Sequence, residues 1–358
     1  MKNNKMKNDF QSHLKTILLL YSSFMTTSVF ADIKGMGFSH GDWELACDNT
    51  GTCRAAGYHT DENSFENMVS VLLTRKAGAN TPIKAEFTML MDDEKKEIPK
   101  QYILKINGKS YGKVSNQEEH STILTAPQVQ ALLNSATQKS EIIFDAGKNS
   151  LVLSDSGMSA VLLKMDEFQK RIGTPSALIK KGNKSEKNVL KAEAEPIVIE
   201  RAAIKGKTIS YPLKSAQAQR IQNILKRTTT PDDCSILFDN ENSPSDQLTV
   251  VPLTATQSLV TSPCWSGAYN FGSGAWVMDQ KLTKVYQMVS ASISDGESTM
   301  LYANHKGRGL GDCWSTEEWT WNGQTFVQTG ESGQRQCKGF AGGAWDLPTK
   351  VATVKELR

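Results

Sequence analysis

The residues with the clearest chemical capacity in this chain are six cysteines, which can form disulfides or bind zinc. Structural zinc sites need close pairs such as Cys-x2-Cys. Here the two closest cysteines are separated by five residues, and every other interval is longer than twenty residues. The spacing therefore predicts disulfides and no metal site. The six residues are Cys47, Cys53, Cys234, Cys264, Cys313 and Cys337.

The positions of the cysteines restrict how these disulfides can connect. Cys47 and Cys53 flank a run of turn-forming residues, so we expect them to bridge the two strands of one hairpin. The other four cysteines allow three pairings, all of which stay open. We favour Cys234–Cys264 and Cys313–Cys337, because each bridge then closes a modest loop within the carboxyl-terminal part of the chain.

Tryptophans are the residues most suited to binding a ligand. Trp319 and Trp321 alternate along a predicted strand, so both rings should face the same side. Exposed aromatic rings bind sugar rings or apolar segments, whereas buried rings would pack against the disulfides as a small core. Both interpretations stay open. The ligand-binding candidates are Trp265, Trp276, Trp314, Trp319, Trp321 and Trp345.

Acidic and histidine residues give no convincing catalytic set. His40 and Asp42 are near one another in sequence, but a surface hydrogen bond explains such a pair as well as catalysis does. Glu317 and Glu318 lie beside the tryptophan strand, yet neighbours on a regular strand face opposite sides. A glycoside hydrolase needs two facing carboxyl groups. We therefore assign no catalytic residue and expect no cofactor.

The elements that must position these residues begin with a β-domain at residues 32–174. Asn107-Gly108 predicts a hairpin turn, and Thr125 with Gln128 predicts a capped helix. A second helix is expected over Ser159–Ile172. The predicted fold is mainly β with a few helices, and this domain should resemble an antiparallel β-sandwich. Its predicted strands include Met68–Arg75, Ile83–Met91, Gln101–Ile106, Ile142–Asp145 and Leu151–Leu153.

A basic linker and a second module should follow. Residues 175–230 hold nine Lys and three Arg against four Glu. Within them, Lys180–Glu195 has few apolar residues, which predicts an unstructured tether, and Ser215–Arg227 predicts a helix. Residues 231–358 contain short, turn-rich strands and most of the tryptophans. We expect them to form a disulfide-linked, Trp-rich, all-β module.

The amino terminus has the pattern of a secretory signal peptide over residues 1–31. Four lysines precede the apolar run Thr16–Val29, and small residues at Val29 and Ala31 predict cleavage after Ala31. No later run predicts a membrane anchor, so the product should be periplasmic or secreted. The full chain has 41 basic and 38 acidic residues; removing four Lys and one Asp leaves 37 of each. Such neutrality argues against nucleic-acid binding.

Several segments resemble an exported bacterial family with six cysteines, the domain of unknown function 1176. That family has no established activity, so the resemblance implies no catalytic residues. The amino-terminal half also resembles, more loosely, the invasion-associated locus B proteins, whose first strand likewise leads from Gly-Asp-Trp into a cysteine. The segments similar to the family of unknown function are His40–Cys47, Gly309–Cys313, Trp319–Phe326 and Cys337–Gly339.

These observations predict a non-enzymatic binding or interaction module of the bacterial envelope, with another envelope protein or a glycan as partner. One alternative is a hydrolase that acts on envelope glycan or peptide. A second alternative is a structural or assembly factor whose basic linker contacts an anionic surface.

Overall fold

Most of the regular secondary structure consists of antiparallel strands. The computed structural model describes residues 33–61, 67–91, 98–117, 121–239 and 243–357. The predicted signal peptide and its cleavage site lie outside these described residues. The mainly β fold class with a few helices is confirmed.

The elements from Met36 to Phe168, which we call the first domain, form two sheets and two helices. In chain order they are β1 (Met36–His40), β2 (Trp43–Cys47), β3 (Cys53–Tyr58), β4 (Met68–Arg75), β5 (Ile83–Leu90), β6 (Gln101–Ile106), β7 (Lys109–Ser115), β8 (Thr122–Ile123), α1 (Ala126–Ser135), β9 (Ile142–Asp145), β10 (Leu151–Leu153) and α2 (Met158–Phe168).

The two sheets of this domain enclose one hydrophobic core. The first has the strand order β1-β2-β3-β4-β5-β8, and the second has the order β10-β9-β6-β7. Trp43 and Phe87 from the first sheet meet Tyr102 and Phe144 from the second, and α1 and α2 add Leu132 and Leu162. Alternate residues of each strand point into this core, because successive side chains of a strand face opposite sides of the sheet. The sandwich-like arrangement predicted from sequence is therefore confirmed.

Local signals in the sequence explain two of these elements. Asn107 and Gly108 have φ angles of 51° and 77°, the left-handed conformations that a two-residue hairpin turn needs between β6 and β7. The backbone N–H of Thr125 donates to Oε1 of Gln128 at 2.9 Å, which satisfies an unpaired donor where α1 begins.

The segment Lys180–Glu195 differs from the tether that its composition predicts. It is ordered along the first domain, where Leu190 donates its N–H to Gln169 O and accepts from Gly78 N. The Glu186 carboxylate accepts from the backbone and hydroxyl of Ser176, and Val189 is buried. Backbone hydrogen bonds to a neighbouring surface thus order a segment that could not bury enough apolar area alone. The predicted boundaries at residues 174 and 230 stay predictions.

The carboxyl-terminal half contains one layer of helices and two layers of β-sheet. Its elements are β11 (Ile197–Glu200), β12 (Ile209–Pro212), α3 (Ala216–Leu225), α4 (Ser235–Phe238), β13 (Gln247–Pro252), β14 (Gln257–Ser266), β15 (Phe271–Asp279), β16 (Val285–Ile293), β17 (Asp295–Gly296), β18 (Met300–Lys306), β19 (Trp314–Trp321), β20 (Phe326–Gly333), β21 (Pro348–Lys350) and β22 (Thr353–Glu356).

One of these layers holds the helices α3 and α4, and each of the other two is a five-stranded sheet. Strands β12 to β16 form one five-stranded sheet, and β17 to β21 form another. One cluster joins α3 and α4 to the first of these sheets, and a second cluster lies between the two sheets. The disulfides are Cys47–Cys53, Cys234–Cys264 and Cys313–Cys337, which are the pairs that the sequence favours.

Residues 334–351, which we call the carboxyl-terminal strap, cover the outer face of the first sheet. Phe340 and Leu347 from the strap pack on Ala56 and Met68. At its end, the Asn49 side chain donates to Val351 O at 3.1 Å and accepts from Val351 N at 2.7 Å. The described residues from 33 to 357 therefore form one compact unit.

Candidate functional site

Three of the six candidate tryptophans belong to the hydrophobic core. Trp276 and Trp321 are completely buried, and Trp319 is 6% exposed. Trp276 lies in the cluster that contains Cys234 and Cys264, whereas Trp319 and Trp321 lie between the two five-stranded sheets. Neighbouring layers keep these three rings from solvent, so they present almost no surface to a ligand in this structure.

Trp265 is half-buried and already has an aromatic partner. Its ring centroid lies 5.1 Å from that of His305 on β18. Its Nε1 donates to the hydroxyl of Ser292 at 3.3 Å. Because His305 occupies part of its ring surface, Trp265 offers less area for a ligand than an open ring would.

Trp314 and Trp345 line one open groove at the surface, with a volume of about 460 Å³. They are the two candidate rings that the structure brings to a shared ligand-sized space. The other walls are small or polar, which leaves room beside the rings. We call this space the tryptophan groove, and its lining is Gly311, Trp314, Thr316, Ser332, Gln334, Gly342, Gly343, Ala344, Trp345 and Asp346.

Gln334 fixes the two tryptophans relative to each other. Its side-chain oxygen accepts from Trp314 N at 2.7 Å, and its side-chain nitrogen donates to Trp345 O at 2.6 Å. Its own backbone N–H donates to Trp314 O at 3.0 Å. A second tie is the hydrogen bond between the Ser332 hydroxyl and the Asp346 carboxylate. The groove is therefore preorganised rather than formed by mobile side chains.

The hydrogen bonds of the Gln334 side chain to the two tryptophans require a glycine at position 343. Its φ angle is 93°, a conformation that residues with a Cβ rarely adopt. A Cβ at this position would also lie 2.5 Å from the side-chain nitrogen of Gln334. A larger residue would therefore displace the amide that holds Trp345.

Both indole N–H groups of the groove are already used inside the protein. Trp314 Nε1 donates to Gly311 O at 2.9 Å. Trp345 Nε1 donates at 2.7 Å to the hydroxyl of Ser70, a buried residue on β4 of the first domain. The rings are thus anchored by their edges, so what they can offer a ligand is stacking area.

Charged groups lie close to these rings. Lys306 Nζ is 5.4 Å from the ring centroid of Trp314, within the range of a cation–π contact. Asp346 is exposed at the Trp345 side of the groove. The groove therefore combines apolar ring surface with hydrogen-bonding and charged groups around it.

A second groove contains two facing carboxylates. Glu317 on β19 is directly opposite Glu331 on β20, and both line a space of about 220 Å³. Because side chains alternate along a strand, this pair lies on the other face of the hairpin from Thr316. Burial raises the pKa of Glu317, and Glu331 raises it further. The sequence drew attention to Glu317 together with Glu318, but Glu318 is opposite Gly330, and the carboxylate that faces Glu317 is that of Glu331.

An ionic cluster joins the strap to the first domain. Lys338 Nζ lies 2.7 Å from Asp42 and 2.5 Å from Asp61, although Lys338 is almost completely buried. Asp42 also accepts from the Ser154 hydroxyl at 2.6 Å. No local pattern in the sequence connects these residues. The available signal was that Asp42 and Lys338 both fall in segments that resemble the family.

Glu44 forms a second polar contact at the same junction. It is completely buried and accepts from the Tyr58 hydroxyl at 2.7 Å and from Arg335 N at 2.5 Å. Burial raises the pKa of Glu44, and these hydrogen bonds lower it by less. Burial and the neighbouring Glu44 also raise the pKa of Tyr58. This contact is structural, because neither group reaches solvent.

The described residues bring one set of possible metal ligands together, Asp312 with Cys313 and Cys337. The two sulfur atoms are bonded to each other, and the Asp312 carboxylate is occupied by Arg308 and by Gly339 N. A disulfide has no thiolate to donate, so this set does not fit a metal ion.

The chain belongs to the family described as Protein of unknown function (DUF1176), whose model matches residues 37–352. That match includes the tryptophan groove, the strap and the first domain.

The chain is also similar to Uncharacterized protein YpfG of Escherichia coli (strain K12). The two are 25% identical over 356 residues, which cover 92% of this chain and 96% of that protein. No solved structure matches the chain. The looser resemblance of the amino-terminal half to invasion-associated locus B proteins stays a prediction.

Three disulfides fit an oxidising compartment outside the cytoplasm. Within the described part of the chain, no helix has both the length and the apolar character needed to cross a membrane.

Proposed function

We propose that this protein is a non-enzymatic binding protein of the bacterial envelope and that its tryptophan groove binds sugar rings of an envelope glycan. The observation that carries the proposal is that Trp314 and Trp345 are fixed at one open groove with polar walls. Trp276, Trp319 and Trp321 are buried in the core, whereas Trp314 and Trp345 are half-buried, and Trp345 also packs against the cluster beneath the strap.

The chemistry of the groove suits a sugar better than a purely apolar ligand. One face of a pyranose ring carries C–H groups that stack on an aromatic ring, whereas its hydroxyl groups need hydrogen bonds. The groove offers both, since Thr316, Ser332 and Asp346 adjoin the two indoles. Its fixed geometry lowers the entropy lost on binding.

The proposed periplasmic location is supported by two features. The first is the signal-like sequence over residues 1–31, and the second is the set of three disulfides. An exported protein meets envelope glycan directly, so location and ligand agree.

Replacing Trp314 or Trp345 with Ala should weaken glycan binding by about thirty-fold, which corresponds to the roughly 2 kcal/mol typical of a central aromatic contact. The measurement is co-sedimentation of the mature protein with insoluble peptidoglycan, with calorimetry on soluble glycan strands for the affinities.

The matched control is Tyr286→Ala, which removes an aromatic ring that is 50% exposed and does not line the groove. This variant should bind as the unmodified protein does. Equal binding by Trp314→Ala, Trp345→Ala and Tyr286→Ala would refute the groove as the binding site.

A second candidate function, hydrolysis of a glycan, is favoured by the facing pair Glu317 and Glu331. Glycosidases use one protonated and one ionised carboxyl group about 5–10 Å apart. The raised pKa of Glu317 keeps its proton to a higher pH than an ordinary glutamate, as a general acid needs.

If this pair is catalytic, Glu317→Gln and Glu331→Gln should each abolish release of reducing ends from glycan strands. Activity should fall as pH rises through the raised pKa of Glu317, because the general acid is then deprotonated. Glu318→Gln, on the neighbouring residue, is the control. Full activity in Glu317→Gln, or none in the unmodified protein, would exclude hydrolysis at this pair.

A further inference from the structure

Exposed apolar side chains occur on two segments beside the tryptophan groove. Tyr269 (64% exposed) and Phe271 (47% exposed) lie at the turn between β14 and β15, and Leu310 (58% exposed) lies on the loop between β18 and β19. Exposed apolar groups that lie close together on a folded protein often mark a binding surface. We call these three residues the apolar ridge.

A short loop connects the apolar ridge to the tryptophan groove. Gly309 lies against the Tyr269 ring, so closely that a Cβ on Gly309 would be 2.8 Å from a ring carbon. Two residues later, Gly311 lines the groove and accepts the indole N–H of Trp314. Leu310 lies between them in the chain. The ridge therefore continues from the Trp314 side of the groove.

The turn that carries Tyr269 is held firmly. Asn270 donates from its side-chain nitrogen to Lys306 O at 2.9 Å, and its side-chain oxygen accepts from Lys306 N at 2.9 Å. Gly267 N donates to Asn270 O at 2.8 Å across the turn. Lys306 in turn reaches the Trp314 ring. Ridge and groove are thus fixed to the same β18 residue.

We propose that the tryptophan groove and the apolar ridge form one extended site for a linear glycan. This inference rests on the proposed glycan binding and adds that the ligand is a polymer. A single sugar would need only the groove, whereas the ridge adds stacking and apolar contact for a chain that continues past Gly311. Successive rings of an extended glycan offer C–H faces to the aromatic groups along such a path.

The test is calorimetry with N-acetylglucosamine oligosaccharides from the disaccharide to the hexasaccharide, and with glycan strands released from peptidoglycan. The unmodified protein should bind the long ligands about tenfold more tightly than the disaccharide, the gain expected from one further aromatic contact. Tyr269→Ala should remove this gain, so that the hexasaccharide binds no more tightly than the disaccharide does.

Three results would distinguish the extended site from glycan binding at the groove alone. Tyr286→Ala should retain the dependence on ligand length, because its ring is outside both surfaces. If short and long ligands bind equally while Trp314→Ala still weakens binding, the extended site is wrong and the groove stands. If the unmodified protein binds none of these ligands, glycan binding itself is wrong.

Discussion

Replacing Lys338 with Met is expected to lower the free energy of unfolding by about 3–5 kcal/mol, because a poorly solvated carboxylate then loses its cation. Lys338 is 3% exposed, and its Nζ lies 2.7 Å from Asp42. Asp42 is also held by the Ser154 hydroxyl, which limits its turning toward solvent. Met retains the apolar stem of the side chain, so the variant tests charge rather than packing.

The second carboxylate of this cluster provides the control. The Asp61 side chain is 83% exposed, so water can replace the ammonium group if Lys338 is lost. An exposed ion pair contributes about 0–1 kcal/mol, and Asp61→Asn should therefore change stability little. The measurement is urea unfolding followed by tryptophan fluorescence. Similar losses in Lys338→Met and Asp61→Asn would contradict the assignment of Asp42 as the principal partner.

The junction matters for the tryptophan groove as well as for stability. Lys338 and Trp345 belong to the same strap, and Trp345 is anchored on Ser70 of the first domain. Lys338 holds that strap to Asp42, on the same domain. The position of Trp345 therefore depends on contacts that join the two halves of the chain.

Removing the disulfide Cys234–Cys264 should have the second large effect. Constraint of the unfolded chain grows with loop length, and this bridge joins residues separated by 30 positions. A loop of this size corresponds to about 3–4 kcal/mol. Both cysteines are completely buried in the cluster with Trp276. The paired Cys→Ala variant should melt at a lower temperature than the unmodified protein.

The short bridge Cys47–Cys53 is the matched control, because it closes only six positions within one hairpin. The same relation gives about 2 kcal/mol for its removal. Calorimetric melting of both paired Ala variants, with and without reductant, gives the comparison. Reductant should still lower the melting temperature of each paired Ala variant, but only by the contribution of its two remaining disulfides. A larger loss for Cys47–Cys53 would show that loop length is not the controlling factor.

Much of the local structure follows from neighbouring residues. The strand Met68–Arg75 and the turn at Asn107-Gly108 occur where alternation and turn chemistry predict them. Predicted helices appear as α1, α2 and α3, although their ends differ by a few residues. The spacing of apolar residues along the sequence shows which side of a helix or strand is apolar. Caps and turns depend on backbone groups that are close in sequence.

Local patterns did not predict which tryptophan rings would be buried and which would stay exposed. Alternation correctly places Trp319 and Trp321 on one face, but does not reveal that a second sheet covers that face. Trp314 is in the same strand and remains beside an open groove. Whether a ring forms core or binding surface depends on which distant element packs against it.

Short-range patterns and residue spacing predict the strands, the helices, the family resemblance and the hairpin disulfide Cys47–Cys53, and they favour the observed pairing of the other four cysteines without excluding the alternatives. Long-range packing instead determines which rings stay open, that Lys180–Glu195 is ordered, and that Lys338 meets Asp42. Those last two residues are 296 positions apart. Their contact arises because the strap covers the outer face of the first sheet, and no local pattern in either segment encodes that packing.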